Sequence, residues 1–297
     1  MSSVPDIQAH FDRIAAVYDG HAALEQEVGR RLAARTVFQQ YDPSRIVDLG
    51  CGTGSGAADL KSRYPGALVA GLDFAPAMLA RARRRSRLLR PVRTVCADIG
   101  ELPLAAQSVD LVFSNMAAFW SRDPVGFFAE VRRVLRPGGM FLFSTLGRDT
   151  FSQMRAAWAA VDPAVEVPAF PDILEIGDAL AAAGFAEPTL DTDFITLEYP
   201  RLAALCEELE ATGSSLLVRG WARWSERETE LEQAWRPLSR EGKYPLGYEI
   251  VYGAAFGPPE PARRRSTDPD VITVPVDSLL KSRPLAIVES GAFLKFA

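Results

Sequence analysis

The residues of this chain that could do chemistry are concentrated at the end of one apolar run. Asp48 lies inside the segment Ile46–Leu49, and glycine then recurs at every second position. These glycines are Gly50, Gly52, Gly54 and Gly56. Glycine lets a ligand approach the backbone where any Cβ would collide. Because Asp73 and Asp98 follow two further apolar runs, the pattern predicts acids at several strand ends around one ligand-binding turn.

The acid before the glycines distinguishes two kinds of cofactor. Gly52, Gly54 and Ala57 also fit the G-x-G-x-x-G/A pattern of dinucleotide-binding turns, so glycine alone leaves open a dinucleotide site and a purely structural turn. A carboxylate at Asp48 would face a pyrophosphate, whereas a sulfonium cofactor has a cationic amino-acid end and no phosphate. The order D-L-G-C-G-T-G resembles motif I of class I S-adenosylmethionine (SAM) dependent methyltransferases. This resemblance implies SAM as the cofactor.

Three strand-end segments are expected to hold the cofactor. Asp73 is expected to accept both hydroxyls of a ribose, with Phe74 against the adenine. Asp98 is expected to accept the adenine amino group while Ile99 packs on the ring. Each acid alone could instead cap a helix. Further cofactor contacts are predicted in the glycine turn and in neighbouring segments, at Tyr18, Asp48, Gly50, Cys51, Gly52, Gly54, Met78 and Asn115.

Composition limits the classes of protein to which this chain can belong. The 297 residues are 48% hydrophobic, which is ample for a full core, and the net charge of −5 argues against a nucleic-acid partner. No apolar run approaches the roughly 20 residues of a membrane span, and no signal-peptide pattern begins the chain. Three scattered cysteines, Cys51, Cys96 and Cys206, suit a reducing compartment and offer no metal-binding spacing. We therefore expect a cytoplasmic protein without a metal site or a membrane partner.

Alternating strand and helix patterns predict an α/β fold with a doubly wound, Rossmann-like sheet of seven strands. The strands are expected near 45–49, 67–72, 92–97, 109–114, 140–145, 190–199 and 248–256. A helix is predicted over 124–136, with Asp123 as its N-cap and Pro124 in its first turn. The run Pro137-Gly138-Gly139 is expected to end that helix.

Five regions are predicted along the chain. Residues 1–40 are expected to form an N-terminal helical cap of two helices, and residues 41–199 the SAM-binding core. Residues 200–243 are predicted as a helical lid insertion, and residues 244–257 as the last core strand. The tail, 258–297, is expected to be extended, with 271–275 either adding a strand or packing on the body.

Several segments beyond the glycine turn resemble the malonyl-[acyl-carrier protein] O-methyltransferase family of biotin synthesis. They are Phe11–Asp19, Val95–Asp98 with Leu102-Pro103, Phe113–Met116 with Trp120, Val134–Gly139, Ser144–Gly147 and Gly242–Pro245. The resemblance implies methylation of the free carboxylate of a malonyl thioester, with an acyl-carrier protein as partner. Because a carboxylate is already ionised at pH 7, no catalytic residue is expected beyond groups that position the substrate.

The malonyl carboxylate needs cations or hydrogen-bond donors, and arginine can bind a carboxylate through two parallel hydrogen bonds. The family-like segments offer candidates at the expected rim of the pocket, which are Arg13, Tyr18, His21, Trp120, Arg148, Lys243 and Tyr244. Trp120 could equally be a core residue, His21 a capping or surface residue, and Lys243 a surface residue.

Two other classes of function stay open from the sequence. Part of the chain, including Asp191–Asp193 and Glu207–Leu209, also resembles a mitochondrial complex I assembly factor implicated in arginine modification. A small-molecule methyltransferase and a non-catalytic SAM-binding protein are further alternatives. The arginine run from Arg81 to Arg90 is either a solvated helix face or a docking patch for an acidic carrier, and the run Arg263–Arg265 is a second candidate patch.

Overall fold

A computed structural model of the chain describes residues 4–35, 41–86, 91–121, 123–239, 241–258 and 294–295. Four features predicted from the sequence lie outside these residues: the end of the N-terminal cap at 36–40, Arg87 and Arg90, the run Arg263–Arg265, and the segment 271–275. Among the described residues, no helix combines the length and the apolar character needed to cross a membrane.

One mixed sheet forms the centre of the molecule, with the strand order β3-β2-β1-β4-β5-β7-β6-β8. The first five strands run parallel, whereas β7 is antiparallel to both β5 and β6. The strands are β1 (Arg45–Leu49), β2 (Leu68–Asp73), β3 (Arg93–Cys96), β4 (Val109–Ser114), β5 (Leu135–Leu146), β6 (Ala186–Tyr199), β7 (Tyr244–Phe256) and the two-residue β8 (Leu294–Lys295). The predicted doubly wound sheet of seven strands is confirmed, with β8 as a short addition at its edge.

Ten helices accompany the sheet in the described part of the chain. They are α1 (Val4–Ile14), α2 (Tyr18–His21), α3 (Ala23–Ala34), α4 (Ser55–Arg63), α5 (Pro76–Arg85), α6 (Pro124–Val134), α7 (Ser152–Val161), α8 (Ile173–Ala182), α9 (Leu202–Ala211) and α10 (Glu228–Trp235). The first three precede β1, where the sequence predicted two helices. The helices α9 and α10, with three short 3₁₀ turns, lie between β6 and β7, and we call residues 202–238 the insertion helices.

Apolar side chains fill both faces of the sheet, as expected for parallel strands covered by helices. On β1, Ile46 belongs to one buried cluster, whereas Val47 and Leu49 belong to the cluster on the opposite face. A third cluster contains Ile7, Phe11 and Met78, and it joins α1 to the start of α5. The N-terminal helices therefore pack directly over the end of β2.

The helix α6 begins as the sequence predicts and ends slightly earlier. The side chain of Asp123 accepts a hydrogen bond from the backbone N–H of Gly126 at 2.9 Å, which confirms it as the N-cap. The predicted helix end at residue 136 is wrong by two residues, because Leu135 already pairs with Val109 at the start of β5. The register then shifts, and the segment that contains Gly138 lies inside the strand.

Asp110 links β4 to the start of β1 at the end of the sheet that lies opposite to the glycine turn. Its Oδ2 accepts hydrogen bonds from the backbone N–H groups of Ser44 and Arg45 and from the Ser44 hydroxyl, at 2.7–3.0 Å. Its Oδ1 accepts one from Arg136 at 2.6 Å. Burial alone would raise the pKa of Asp110, but these hydrogen bonds and the charge of Arg136 outweigh it and lower that pKa.

We expect Asp110→Asn to destabilise the fold by about 1–3 kcal/mol, because it removes the charge that the four hydrogen bonds stabilise. A lowered carboxyl pKa gives stability that is present above the unfolded-state value of about 4 and is lost as the pH falls through the folded value. Denaturant unfolding at pH 7 and near pH 3 measures both effects, and the difference between wild type and variant should shrink at the lower pH. Asp178→Asn, at an exposed position on α8, is the control. An equal loss in both variants would contradict the assignment.

Candidate cofactor and substrate site

The glycine turn after β1 has a backbone that requires glycine. Gly50, Gly52 and Gly54 have φ angles of +72°, +52° and +82°, which other residues rarely adopt. A Cβ on Gly54 would lie 2.6 Å from the Cβ of Ala82, so this glycine allows α4 and α5 to approach closely. A Cβ on Gly52 would meet no atom within 4 Å. Gly52 therefore faces open space, as a ligand-binding turn requires.

Asp48 lies beneath the turn and is only 2% exposed. A backbone hydrogen bond from Ala57, in the first turn of α4, partly compensates its charge. Its Oδ2 atom has no hydrogen-bond partner. Burial, followed by the negative charge of Asp73, raises the pKa of Asp48 to about 7. A nearby cation would keep this carboxylate ionised, so the orphaned oxygen and the open space at Gly52 fit a positively charged ligand without phosphate.

Asp73 ends β2 and holds the glycine turn in place. Its Oδ2 accepts the backbone N–H of Gly52 at 2.8 Å, and its Oδ1 accepts the backbone N–H of Ala75 at 2.9 Å. Burial raises the pKa of Asp73, and these two hydrogen bonds partly oppose the rise. The carboxylate is thus aligned with the turn, and its contact with a ribose stays a prediction.

The other predicted cofactor residues differ in their surroundings. Asp98 is exposed, and its Oδ1 accepts the backbone N–H of Gly100 at 2.8 Å. Ile99 is half-buried, whereas Met78 is fully buried in the cluster beneath α1. Cys51 is buried under the turn, and burial raises the pKa of its thiol, so it is a packing residue rather than a nucleophile. The contacts of these side chains with SAM stay predictions.

Polar contacts hold the N-terminal helices over the glycine turn. Asp12 accepts the backbone N–H of Ala77 at 2.8 Å, and Gln8 donates to the carbonyl of Phe74 at 2.5 Å. Asp19 accepts a hydrogen bond from the Thr53 hydroxyl at 2.6 Å.

Asp19 also forms an ion pair with Arg85, and the ring of Phe11 lies 6.0 Å from that of Phe74. The pocket side of the turn is therefore covered by α1 and α2, and a ligand must displace part of this cover to enter or leave.

Tyr18, Asn115 and Trp120 lie around the covered site. The half-buried Tyr18 has a strongly raised pKa because of burial and of the charges of Glu25 and Asp73. Asn115 accepts a hydrogen bond from Ser144 at 2.9 Å and donates one to the carbonyl of Glu25 at 2.9 Å. Its amide thereby joins the ends of β4 and β5 to α3.

The ring of Trp120 packs edge-on against that of Phe11 at 5.3 Å between centroids. Trp120 therefore belongs to the apolar wall of the site.

The predicted substrate cations are dispersed over the surface. Arg148 is 62% exposed and forms an ion pair with Asp172 at 2.7 Å. Lys243 forms one with Glu198 at 3.1 Å across the β6–β7 pair.

Arg13 is exposed and lies 3.4 Å from the ring of His10. The hydroxyl of Tyr244 donates to Glu232 at 2.7 Å, so it too is engaged at the surface. The structure does not bring these four residues together at the end of β4.

An open cavity of about 1150 Å³ lies between the N-terminal helices and the insertion helices. Its walls include His10, Ile14 and His21 on one side and Glu210, Leu216 and Trp221 on the other. His21, predicted as a pocket residue, therefore lines a cavity beside α2 rather than the covered glycine turn.

No sequence pattern predicted a polar cluster in which two carboxyls are half-buried and two phenols are buried. Its members are Glu25, Glu208, Tyr199 and Tyr248, and they come from α3, α9, β6 and β7. The Tyr199 hydroxyl donates to Glu208 at 2.7 Å. The helical spacing of Leu24 and Val28 buries one side of α3, but it gives no sign that Glu25 is also withdrawn from solvent.

We expect Gly52→Val to reduce SAM affinity by at least about a hundredfold, because its side chain would occupy the open space over the turn. The positive φ adds strain of about 1–3 kcal/mol that is unrelated to the ligand. Gly184→Val is the matched control, because Gly184 has a φ of +80° and no atom near its Cβ position. Titration calorimetry with SAM separates the loss of ligand space from the backbone strain. Equal affinity in Gly52→Val and Gly184→Val would exclude the turn as the binding site.

We expect Asp19→Ala to accelerate SAM dissociation by about tenfold, because it removes two contacts that close α2 over the turn. Arg85→Ala removes the ion pair and leaves the hydrogen bond from Thr53, so its effect should be smaller. Stopped-flow displacement of SAM by an excess of S-adenosylhomocysteine measures the rate. Unchanged dissociation in both variants would show that the helices do not retain the cofactor.

Comparison with known structures supports the fold. The chain superposes with a TM-score of 0.55 and 20% identity on the methyltransferase chain of a Haloferax volcanii complex with the Trm112 methyltransferase activator, covering 84% of this chain and 97% of that one. A candidate methyltransferase from Bacillus halodurans gives a TM-score of 0.56 at 18% identity, covering 76% of this chain and 98% of that one. At this level of identity the likeness concerns the fold alone.

Comparison with known sequences gives the family. The profile described as "Methyltransferase domain" matches residues 47–143, which include the glycine turn, Asp73 and Asp98. The malonyl-[acyl-carrier protein] O-methyltransferase of Laribacter hongkongensis is 41% identical over 273 residues, 88% of this chain and 92% of that protein. The protein of that name from Legionella pneumophila is 33% identical over 283 residues, 93% and 98% respectively. This chain therefore belongs to the malonyl-[acyl-carrier protein] O-methyltransferase family of SAM-dependent methyltransferases.

Proposed function

We propose that this protein uses SAM to convert the free carboxylate of a malonyl group, held as a thioester on acyl-carrier protein, to its methyl ester for biotin synthesis. The observation that carries the proposal is similarity to proteins named for this activity over most of the chain. The buried, unpartnered Asp48 beneath an open glycine turn supports a cationic cofactor in the same chain. The arginine-modifying and small-molecule alternatives have no comparable support.

The chain's own residues have to bind the cofactor, orient the substrate and exclude water. SAM, when bound, supplies the methyl group that a carboxylate oxygen accepts. Asp48, Gly52 and Asp73 would hold the cofactor, and the aromatic wall formed by Phe11 and Trp120 would keep water from the reacting atoms. No proton has to leave the substrate, because the carboxylate is ionised at neutral pH.

We propose that residues 1–40 and 200–243 together form the cover of the active site. The cavity between α1–α2 and the insertion helices supports this assignment, because it is open to solvent and lies beside the helices that cover the glycine turn. Its volume of about 1150 Å³ leaves room for a thioester arm from a bound carrier. On this proposal, the malonyl group passes between the two helical regions and reaches the ends of β4 and β5.

Carrier recognition requires a local basic surface, because acyl-carrier proteins are acidic and this chain has a net charge of −5. Two arginines of α5 are already engaged within the chain: Arg83 donates to Thr94 at 2.7 Å, and Arg85 pairs with Asp19. Arg84 is exposed on the same helix. We propose the remaining arginines of this helix as a docking patch for the carrier.

The proposed reaction is tested with malonyl-carrier protein, malonyl-coenzyme A and labelled SAM. We expect a base-labile methyl ester on the malonyl group and no label on acetyl-carrier protein, which lacks the carboxylate. The rate should not climb tenfold per pH unit between about pH 6 and 8, because no base has to remove a proton. A climbing rate would indicate an amine, hydroxyl or guanidinium acceptor, and absence of ester from every malonyl thioester would exclude the proposed function.

A further inference from the structure

The open cavity between the N-terminal helices and the insertion helices has one permanently charged cation among the described residues of its walls, Arg219. The other basic side chains of the lining are His10 and His21. The Nε2 atom of His10 lies 2.9 Å from the backbone carbonyl of Glu210, which can only accept, so His10 donates there. Its Nδ1 atom faces a guanidinium nitrogen of Arg13 at 3.4 Å, which leaves His10 no free N–H group. An anion that enters the cavity therefore meets Arg219 as its permanent positive charge.

The backbone of Arg219 is held firmly at the cavity wall. Its N–H donates to the carbonyl of Glu166 at 3.0 Å and its carbonyl accepts the N–H of Glu166 at 3.0 Å, so the two residues form an isolated antiparallel bridge. The neighbours of this bridge, Val165 and Val218, are buried. The next residue, Gly220, has a φ of +89°, and a Cβ there would lie 3.3 Å from Val165. The bridge thus fixes the point from which the Arg219 side chain extends.

The guanidinium of Arg219 is only weakly engaged within the chain. Its Nη1 atom lies 3.4 and 3.3 Å from the two carboxylate oxygens of Glu166, whereas charge-assisted hydrogen bonds normally measure about 2.7–2.9 Å. The two side chains are 73% and 65% exposed, and so exposed an ion pair contributes little. The Nε and Nη2 atoms have no hydrogen-bond partner among the described residues. Most donors of this guanidinium are therefore available to a ligand.

The other carboxylates of the cavity wall are engaged elsewhere. Glu207 forms an ion pair with Arg201, in which one nitrogen lies 3.0 and 3.1 Å from the two carboxylate oxygens. Glu210 accepts the indole N–H of Trp221 at 3.0 Å. Glu166 is therefore the acid that competes with a ligand for the guanidinium. Because its side chain is exposed and its contact is long, it can turn into solvent when a stronger acceptor arrives.

We propose that Arg219 binds the phosphate of the phosphopantetheine arm on which the carrier protein holds the malonyl group. This inference rests on the proposed function and specifies how the arm is held in the cavity. A phosphodiester is negatively charged at neutral pH, and a planar guanidinium presents paired N–H groups to two of its oxygens. The apolar surfaces of Ile14, Leu216 and Trp221 lie in the same cavity and suit the part of the arm between phosphate and thioester.

The position of Arg219 suits the phosphate and not the malonyl carboxylate. The reacting carboxylate has to reach the cofactor side, where Phe11 packs against Trp120. The residues next to Phe11 on the same helix turn, His10 and Ile14, line the cavity instead, so α1 stands between the cavity and the cofactor side. Arg219 lies on the opposite wall and is exposed to solvent, where the arm would leave toward the body of the carrier.

The test compares malonyl-pantetheine with malonyl-phosphopantetheine, which differ only in the phosphate, and with malonyl-carrier protein. We expect Arg219→Ala to raise the KM for the two phosphate-bearing substrates by about tenfold with kcat unchanged, because it removes a charged hydrogen bond to a non-reacting group. The KM for malonyl-pantetheine should stay at the wild-type value. An equal rise for all three substrates would assign Arg219 to the malonyl carboxylate or to the shape of the cavity, and it would overturn the proposal.

Glu166→Gln removes the competing charge and keeps the backbone bridge. We expect it to lower the KM for the phosphate-bearing substrates by about threefold and to leave that for malonyl-pantetheine unchanged. Arg227→Ala is the matched control, because Arg227 belongs to the same insertion, pairs with Glu230 at 3.2 Å and does not line the cavity. A rise in KM with Arg227→Ala as large as with Arg219→Ala would reduce the effect to general surface charge and overturn the proposal.

Competition assays give a second measurement that does not require turnover of free pantetheine substrates. Phosphopantetheine should inhibit methylation of malonyl-carrier protein about tenfold more strongly than pantetheine in the wild type, and no more strongly in Arg219→Ala. Equal inhibition by both compounds in the wild type would overturn the proposal.

Malonyl-coenzyme A, which has a pyrophosphate at the corresponding place, distinguishes the two sources of the phosphate. If Arg219→Ala raised the KM for malonyl-coenzyme A and left that for malonyl-carrier protein unchanged, binding of the carrier's arm would be excluded. Wild-type protein that methylates no malonyl thioester would exclude the proposed function itself. Methylation with the same KM change for substrates with and without phosphate would exclude only this phosphate site.

Discussion

The accumulation of buried carboxyls at the ends of the parallel strands constrains the rest of this structure. Asp48, Asp73 and Glu25 lie within one region, and burial raises the pKa of each of them. An ionised carboxylate can stay buried only with a cation, with hydrogen-bond donors or after taking up a proton. Asp73 has two backbone donors, Asp48 has one backbone donor and a free oxygen, and Glu25 has a free oxygen. The three carboxyls therefore differ in how much charge compensation or hydrogen bonding a bound ligand has to supply.

The cover over these acids is built from contacts that can be broken without unfolding the protein. Asp12 and Asp19 hold α1 and α2 through hydrogen bonds between partly exposed groups, which individually contribute about 1 kcal/mol. The cluster of Phe11 and Met78 adds apolar contact on the same side. A cover held in this way can close over a small ligand and reopen, whereas the sheet beneath it is fixed by continuous strand pairing. Exchange of cofactor and substrate can thus be confined to the helical regions.

Local sequence patterns predicted the parts of this protein whose structure is determined locally. The glycine turn, the N-cap at Asp123 and the positions of the strands along the chain follow from residues within about ten positions of one another. Lys243 was predicted as a substrate residue, but the long antiparallel pairing of β6 and β7 places it beside Glu198 at the surface. Glu25 and Glu208 are about 180 residues apart, and only the packing of the insertion helices on α3 and the sheet brings them together. No periodicity in the sequence indicates that two residues so far apart along the chain lie close together.

The protonation state of the buried cluster distinguishes the two substrates that the sequence left open. A guanidinium would be bound by ionised Glu25 and Glu208, and its affinity would rise with pH until both carboxyls are charged. A malonyl carboxylate is repelled by the same ionised groups, so its affinity would fall as the pH rises. Burial raises the pKa of Glu25 to about 7 and also raises that of Glu208, to which Tyr199 donates a hydrogen bond. The pH dependence of substrate affinity therefore separates a cationic from an anionic substrate, and the relatives of this chain are named for the anionic one.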